Sequence, residues 1–283
     1  MKFAYSSAMF RLRPLPEAIA TIAQNGFSAV ELLADRPHAF PEDIKGAEVN
    51  VLNGSLRDNK ITVSNLNSSV ALTIGDAQHP SWIEEDWMER EKRIRYTLDC
   101  LRLGAVLGIG TVSTNGGGVI PASMHQGEAW RLLAANMHRT LPLAERLGVK
   151  LLLQPEPDML LQTSHQLLKF VEELTPSHTV GINFNVVHLY CAGEDPVEAW
   201  DRVKAHVGHV ELSDAPAAGN HRHLPLGEGE IDIPRFLAHL DTSGYDGYVT
   251  IAMEVQEHDP AGMVAASAAY LRNHGFGLEG AAG

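Results

Sequence analysis

The sequence predicts a single closed (β/α)8 barrel, the TIM-barrel architecture within the α/β class, from three observations. Short runs of β-branched and apolar residues alternate along the whole chain with amphipathic stretches of helical spacing. Strands that alternate with helices form parallel sheets with right-handed crossovers. Eight such units in 283 residues fit a closed barrel better than an open doubly wound sheet. The glycine-rich nucleotide-binding patterns that would favour the open sheet are absent from the sequence.

The strands are predicted from short apolar runs bounded by polar or turn-forming residues. They are Lys2–Ser7, Ser28–Leu33, Ile61–Asn67, Gly110–Thr114, Lys150–Pro155, Thr179–Phe184, His209–Ser213 and Tyr248–Glu254. Helices are predicted where apolar residues recur every three or four positions between these runs. Prolines open the first helix and a glycine closes it, which is the usual helix punctuation. The helices are Leu15–Asn25, Pro41–Asp58, Glu89–Leu107, Ser123–Leu147, Ser164–Leu174, Pro196–Val207, Ile233–Leu240 and Pro260–His274.

One domain over residues 1–283 accounts for the whole pattern, and residues 277–283 are expected to be a frayed tail. A net charge of −13 opposes binding to nucleic acid, which needs a basic face. Since no apolar run approaches the ~20 residues that cross a bilayer, no membrane association is expected. The two cysteines lack metal-type spacing and the N-terminus lacks a signal-peptide pattern, so the sequence predicts a cytoplasmic protein.

Polar side chains close four consecutive predicted strands. In (β/α)8 barrels the active site lies at this C-terminal edge of the strands. Residues two apart on a strand share a face, so Leu152, Gln154 and Glu156 are expected to face the barrel axis together. Applied to strands 5 to 8, the alternation places four polar residues at one point near the rim: Gln154, Asn185, Glu211 and Glu254.

Burying two carboxylates beside two amides costs several kcal/mol of folding free energy unless something compensates their charge. A divalent cation would do so, because two carboxylates cancel its charge and amide oxygens complete its coordination. An all-oxygen ligand set suits Mn²⁺ or Mg²⁺ better than Zn²⁺. The alternative is an amide–carboxylate hydrogen-bond network that closes the barrel without a metal.

Several longer motifs are together hard to obtain by chance. They are the strand 5 end with the downstream Thr163, Asn185-x-x-His188 with Gly193-Glu194-Asp195-Pro196, Val210-Glu211-Leu212-Ser213-Asp214, Leu226-Gly227-Glu228-Gly229-Glu230-Ile231-Asp232, and Gly244-Tyr245-Asp246-Gly247-Tyr248 leading into Glu254. Through them the chain resembles, over essentially its full length, the xylose isomerase-like TIM barrels. These include sugar phosphate isomerases and epimerases, inosose isomerases, 3-dehydroshikimate dehydratases and endonuclease IV.

The resemblance implies one divalent metal held by Glu, Asp, His and Glu at the ends of strands 5 to 8. Three of the four corresponding positions depart from that pattern, since they hold Gln154, Asn185 and Glu211, and Glu254 alone matches. Each of the three substituted residues still supplies an oxygen donor, but three carboxylates become two. We therefore expect weaker binding of a hard cation. An offset of two residues would make Glu156 the strand 5 ligand instead.

The resemblance also implies an isomerase or epimerase that moves a proton between adjacent carbons through a metal-stabilised enediolate. The expected substrate is a small sugar, inosose or related polyhydroxylated carbonyl compound. Glu254 is the expected base, and Glu156 or Glu211 the second catalytic group. Because Gln154 cannot accept a proton, two alternatives stay open: a dehydratase or lyase resembling 3-dehydroshikimate dehydratase, and an inactive barrel used for binding.

Five residues are expected to bind the substrate. His188 and His223 would bind its oxygens, and Arg222 a phosphate or carboxylate. Asn67 and Asn115 would bind hydroxyl groups. The alternatives are a rim histidine bonded to strand 7 for His188 and a solvated loop residue for Arg222. Pairing of two copies into a homo-oligomer is left open.

Overall fold

Eight parallel strands pair in chain order, and the first pairs with the last, which closes a (β/α)8 barrel as the sequence predicts. The computed structural model describes residues 1–174, 178–253 and 259–278. Glu254 and residues 279–283 of the predicted tail lie outside this range. The strands are β1 Lys2–Ser6, β2 Ala29–Leu33, β3 Thr62–Asn67, β4 Thr111–Thr114, β5 Lys150–Leu153, β6 Val180–Asn185, β7 Val207–Leu212 and β8 Tyr248–Ile251.

Helices connect the strands and surround the barrel. They are α1 Leu15–Gln24, α2 Ala47–Asp58, α3 Trp87–Leu107, α4 Gln126–Leu147, α5 Ser164–Glu173, α6 Val186–Cys191, α7 Pro196–Val203, α8 Ile233–Thr242 and α9 Pro260–Asn273. Local capping sets several of their ends: Asp86 caps α3 through the Met88 N–H, and Thr163 and Gln166 form a capping box at α5. Of the described helices, none combines the length and apolar character needed to cross a membrane.

The apolar core lies between the strands and the helices that cover them. Its character is shown by an aromatic group in which Phe184 of β6 packs on Trp200 of α7 and Phe236 of α8, with ring centroids 5.5 and 5.7 Å apart. At the base of the barrel interior, Leu152 of β5 lies over Gly181 and Gly208. A Cβ on Gly208 would come within 2.8 Å of the Leu152 Cδ2. These glycines on β6 and β7 make room for the leucine, which fills the N-terminal end of the barrel.

A buried histidine ties the segment after β2 to the turn after β1. The Nε2 of His38 lies 3.2 and 3.1 Å from the carbonyl oxygens of Phe10 and Arg13. Carbonyls only accept, so Nε2 carries the hydrogen and Nδ1 accepts from the Ser7 hydroxyl at 3.1 Å. Burial lowers the pKa of His38 below its usual 6.5.

We expect His38 to lower the stability of the fold as the pH drops below 6.5. His38 is neutral in the folded protein but protonates at about pH 6.5 when unfolded, so its contribution is full above that pH and is lost below it. One such group changes the free energy of unfolding by at most about 1.4 kcal/mol per pH unit. Denaturant unfolding over this pH range, compared between wild type and His38→Gln, measures it. Equal slopes in the two proteins would contradict the assignment.

Candidate active site

The C-terminal half of the barrel interior holds a buried network of amides around one carboxylate, Glu211 of β7. Its Oε1 accepts from the Nδ2 atoms of Asn67 and Asn183 at 3.1 and 2.6 Å. Its Oε2 accepts from the Asn185 Nδ2 at 2.9 Å. Three strands, β3, β6 and β7, thus bring their inward-facing polar residues to a single group. Below this network, His209 bonds Asn183 and Thr250 through its two ring nitrogens, at 2.9 and 2.8 Å.

A second carboxyl, Glu31 of β2, belongs to the same network. It accepts from the Nδ2 of Asn65 at 3.0 Å and lies beside Glu211, with no exposed surface of its own. Burial raises the pKa of Glu31. Burial, and then the negative charge of Glu31, raise the pKa of Glu211 well above its usual value. The pair therefore resists double ionisation, because two like charges in a dry interior repel each other.

The amide groups at the predicted metal positions have defined orientations. The Oδ1 of Asn185 accepts the backbone N–H of His188 at 3.1 Å and so caps α6. A backbone N–H can only donate, so this bond fixes the amide and turns its NH2 group toward Glu211. The Oε1 of Gln154 accepts from Asn183 at 2.8 Å and from Ser69 at 3.2 Å.

The structure therefore brings Gln154, Asn185 and Glu211 together, while Glu254 lies outside the described residues. As arranged, the three form the amide–carboxylate network that the sequence left as the alternative. Amide hydrogens, not oxygens, face Glu211, so these residues do not fit a cation without turning their amides. Their role as ligands stays a prediction.

Glu156 lies above this network, at the mouth of the barrel. It follows β5 through Gln154 and Pro155, and 18% of its side chain is exposed. Its carboxyl oxygens lie 3.4 Å from the His188 Nδ1 and 3.8 Å from the His221 Nε2. Burial, and then the charge of Asp158, raise the pKa of Glu156 to about 8. Among the three carboxyls of the described site, this is the one that solvent reaches most readily, since Glu211 is 4% and Glu31 0% exposed.

His188 lies on the first turn of α6, and each of its ring nitrogens contacts another residue. Its Nδ1 lies 2.6 Å from the carbonyl oxygen of Pro155, so Nδ1 carries the hydrogen and Nε2 has a free lone pair. That Nε2 lies 3.0 Å from the Nε2 of His223. Burial and the neighbouring His223 and His221 lower the pKa of His188 well below 6.5.

The segment between β7 and α8 carries His221 and His223 over the barrel mouth, and Asp214 holds its base. The Asp214 Oδ1 accepts the N–H groups of Ala215 and Ile231 at 2.9 and 3.0 Å, and its Oδ2 accepts that of Gly227 at 3.0 Å. Gly229 passes so close that a Cβ there would lie 2.3 Å from the Asp214 Oδ1. Asp214 from the Val210–Asp214 motif and Gly227 and Gly229 from the Leu226–Asp232 motif therefore hold this segment together, and we call this arrangement the Asp214 clamp.

The clamped segment sets the positions of both histidines. The His223 Nδ1 lies 2.9 Å from the Ser213 Oγ, and its Nε2 lies 3.3 Å from the Nε2 of His221. Burial, and then His221, lower the pKa of His223 to about 4. The predicted pair His188 and His223 thus meets, together with His221, to which the sequence assigned no role.

The remaining predicted substrate residues lie in different surroundings. Asn67 is partly exposed and bonds the carboxylates of the network. Asn115 is buried beside Ser69, with its Nδ2 3.4 Å from that residue's carbonyl oxygen. Arg222 is exposed on the histidine segment. Substrate binding by these residues stays a prediction.

The sequence offered Asn65 only as a possible hydroxyl-binding amide, and it assigned no role in the site to Glu31, Asn183 or His209. The alternation that selected Glu211 would also have selected His209 and Asn183, which lie two positions earlier on their strands. Glu31 gave a weaker signal, because its strand is otherwise apolar and its partners are distant in sequence. Two groups of the described residues bring three ligand atoms within 4.8 Å: Glu31 with His209 and Glu211, and His188 with His221 and His223.

Fold and site together define a (β/α)8 barrel whose C-terminal mouth is lined with carboxyl groups, amides and histidines. The chain belongs to the xylose isomerase-like TIM barrel family, whose sequence profile matches residues 19–274.

Among curated proteins, the chain is similar to a fructoselysine 3-epimerase of Shigella flexneri, with 21% identity over 252 residues that cover 85% of each protein. It is also similar to an inosose dehydratase of Clostridium perfringens, with 27% identity over 150 residues. That match covers 47% of this chain and 49% of the dehydratase.

Two solved structures share the fold. A D-tagatose 3-epimerase-like protein superposes with a TM-score of 0.80 and 21% identity, covering 97% of both chains. The IOLI protein, solved with a zinc atom, gives a TM-score of 0.79 and 17% identity over 97% of this chain and 98% of its own. The two curated relatives named above are thus an epimerase and a dehydratase.

Proposed function

We propose that the protein is an isomerase or epimerase of a small sugar, inosose or related polyhydroxylated carbonyl compound. The observation that carries the proposal is the position of Glu156. Its carboxyl lies at the barrel mouth, where solvent reaches it, and ring nitrogens of His188 and His221 lie 3.4 and 3.8 Å away. The fructoselysine 3-epimerase similarity supports the same class of reaction. Pairing of two copies stays a prediction.

Glu156 is favoured over Glu211 as the base because of their surroundings. Three amides bond the Glu211 carboxylate, and it lies under the network with 4% of its surface exposed. Within the part of the chain that the structure describes, Glu156 has no comparable set of hydrogen-bond partners, and it faces the mouth. Glu254, which the sequence predicts as the base at the end of strand 8, lies outside the described residues, and epimerisation would use it as the partner of Glu156.

In the proposed reaction, the Glu156 carboxylate takes a proton from the carbon next to the substrate carbonyl. The electron pair of that C–H bond moves onto the carbonyl oxygen and gives an enediolate. Return of a proton to the same carbon from a second acid on the other face, expected to be Glu254, inverts that carbon. Return of the proton to the former carbonyl carbon, while the neighbouring hydroxyl proton passes to the former carbonyl oxygen, isomerises the sugar. The ring nitrogens of His188, His221 and His223 would bind the substrate oxygens, directly or through a cation. The zinc of the IOLI structure supports a divalent metal in this protein.

A second candidate is a dehydratase, and one observation favours it. Of the three carboxyls of the described site, Glu156 is readily reached while Glu31 and Glu211 are buried, whereas epimerisation by two bases needs a second accessible carboxyl. After the same proton is removed, Glu156 can pass it to the hydroxyl on the next carbon, which leaves as water as the enediolate electrons form the new C=C bond, so no second carboxylate is needed. The inosose dehydratase similarity, over about half of each chain, points the same way.

Deuterium exchange tests the proposal across several classes of carbonyl compound. The protein is incubated in D2O with ketoses, ketose phosphates, fructoselysine, inososes and 3-dehydroshikimate, and products are followed by NMR and mass spectrometry. Exchange next to the carbonyl with an epimerised or isomerised product supports the first candidate, and loss of water supports the second. Absence of exchange in all of these compounds would contradict both and favour a barrel used for binding.

A further inference from the structure

Three imidazole nitrogens converge at the barrel mouth at the spacing of metal ligands. The Nε2 of His223 lies 3.0 Å from that of His188 and 3.3 Å from that of His221. Zn–N bonds of 2.0–2.1 Å in a tetrahedral site place neighbouring nitrogens about 3.3 Å apart. All three ligand atoms lie within 4.8 Å of one another.

The hydrogen bonds at the back of two rings hold them in the orientation that a metal needs. Pro155 accepts from the His188 Nδ1, which leaves the lone pair of Nε2 pointing at the other rings. Ser213 lies 2.9 Å from the His223 Nδ1 and can accept from it in the same way. Such contacts fix the tautomer and ring orientation of metal-binding histidines.

Hydrogen bonds among the rings explain this cluster poorly. The His223 Nε2 contacts two other ring nitrogens, yet it can carry one hydrogen and so can serve one of those contacts well. If it carries none, its lone pair faces that of His188. A cation in the centre would instead use all three lone pairs.

We propose that His188, His221 and His223 bind a zinc ion at the barrel mouth, above the strand-end positions at which the family resemblance places a metal. Imidazole ligands suit zinc, and three histidines with an open fourth position are the pattern of a catalytic zinc site. The strand-end residues do not fit a cation as arranged, because the amide hydrogens of Asn67, Asn183 and Asn185 already occupy Glu211.

The second candidate group, Glu31 with His209 and Glu211, is a weaker site. Both nitrogens of His209 are already bonded, to Asn183 and Thr250. Each of the three side chains is at least nine-tenths buried. The histidine group is more accessible, since 37% of the His221 side chain is exposed. A zinc ion there would supply a Lewis acid next to Glu156, a consequence that rests on the proposed function.

Zinc titration of chelator-stripped protein tests the site in the absence of substrate. Competition with a chromophoric chelator measures affinity and stoichiometry in wild type, His221→Ala and His223→Ala. We expect one equivalent in wild type and a loss of affinity of at least about tenfold in each variant, because even the loss of a group that only supports a ligand costs about 10–100-fold. Co²⁺ substitution should give the visible absorption of a four-coordinate site in wild type and lose it in His221→Ala.

Two further variants locate the ion. Glu211→Gln removes the strand-end carboxylate, and His138→Ala removes an exposed histidine of α4. Both should keep zinc affinity within about threefold of wild type. A loss in Glu211→Gln with none in His221→Ala would place the metal at the strand ends and overturn the proposal, as would far less than one equivalent in wild type. Circular dichroism checks that each variant is folded, and the zinc result stands whether or not the proposed reaction is found.

Discussion

Glu156→Gln should lower turnover by about 10²- to 10⁴-fold, the usual contribution of a positioned general base. Glutamine keeps the size of the side chain but cannot take a proton from carbon. Since Glu156 is not one of the three proposed zinc ligands, zinc affinity and thermal stability should stay close to wild type. Turnover is measured with whichever compound shows deuterium exchange in the wild-type protein.

Glu228→Gln is the matched control for this prediction. Glu228 lies exposed on the segment that carries the histidines, so the same substitution removes a charge near the mouth without touching the proposed base. We expect its turnover within about twofold of wild type, as for surface changes away from special features. Equal turnover in Glu156→Gln and wild type would remove Glu156 from the mechanism.

Asp214→Ala should lower the free energy of unfolding by about 3 kcal/mol and weaken zinc binding as well. The buried carboxylate accepts three backbone N–H groups, from Ala215, Gly227 and Ile231. Removing it leaves those donors without their acceptor in a buried place, at a cost of about 1–3 kcal/mol each before relaxation. Zinc affinity should fall because the segment that positions His221 and His223 loses its anchor. Denaturant unfolding and the zinc titration measure the two effects.

Asp241→Ala provides the comparison, because Asp241 is exposed near the end of α8. Its substitution should change stability by less than about 0.5 kcal/mol. If Asp214→Ala changed stability no more than this control, the clamp would not hold the segment. If it lost stability but kept zinc affinity, the histidines would be positioned by something other than Asp214.

The fold could be predicted from the sequence because its signals are local and repeated. All eight strands were found from short apolar runs, and the helix predicted at Pro41–Asp58 is present as Ala47–Asp58. The short helix α6 was missed, because Val186 and Val187 favour strands and follow β6 directly. Asn185 ends the strand and caps the helix at once, and the spacing of residues does not reveal that change of direction.

The candidate site was predictable only in part. Side-chain alternation sufficed to place Gln154, Asn185 and Glu211 together, because it depends on the strands alone. The direction of the Asn185 amide depends on the first turn of α6, which the sequence did not predict. The contact of His221 with His188 depends on how Asp214 holds the segment, for example through its hydrogen bond with the N–H of Ile231, 17 residues further along the chain. Such contacts arise from the folded barrel, and a single sequence carries no periodic signal for them.

The Asp214 clamp separates the anchoring of the histidine segment from its chemistry. Its hydrogen bonds run to backbone groups at both ends of the segment, so they do not depend on which side chains stand between. Evolution can therefore exchange the imidazoles at positions 221 and 223 for other groups while the scaffold remains intact. Descendants of a common barrel could in this way acquire or abandon a metal through very few substitutions, and diverge in reaction without diverging in shape.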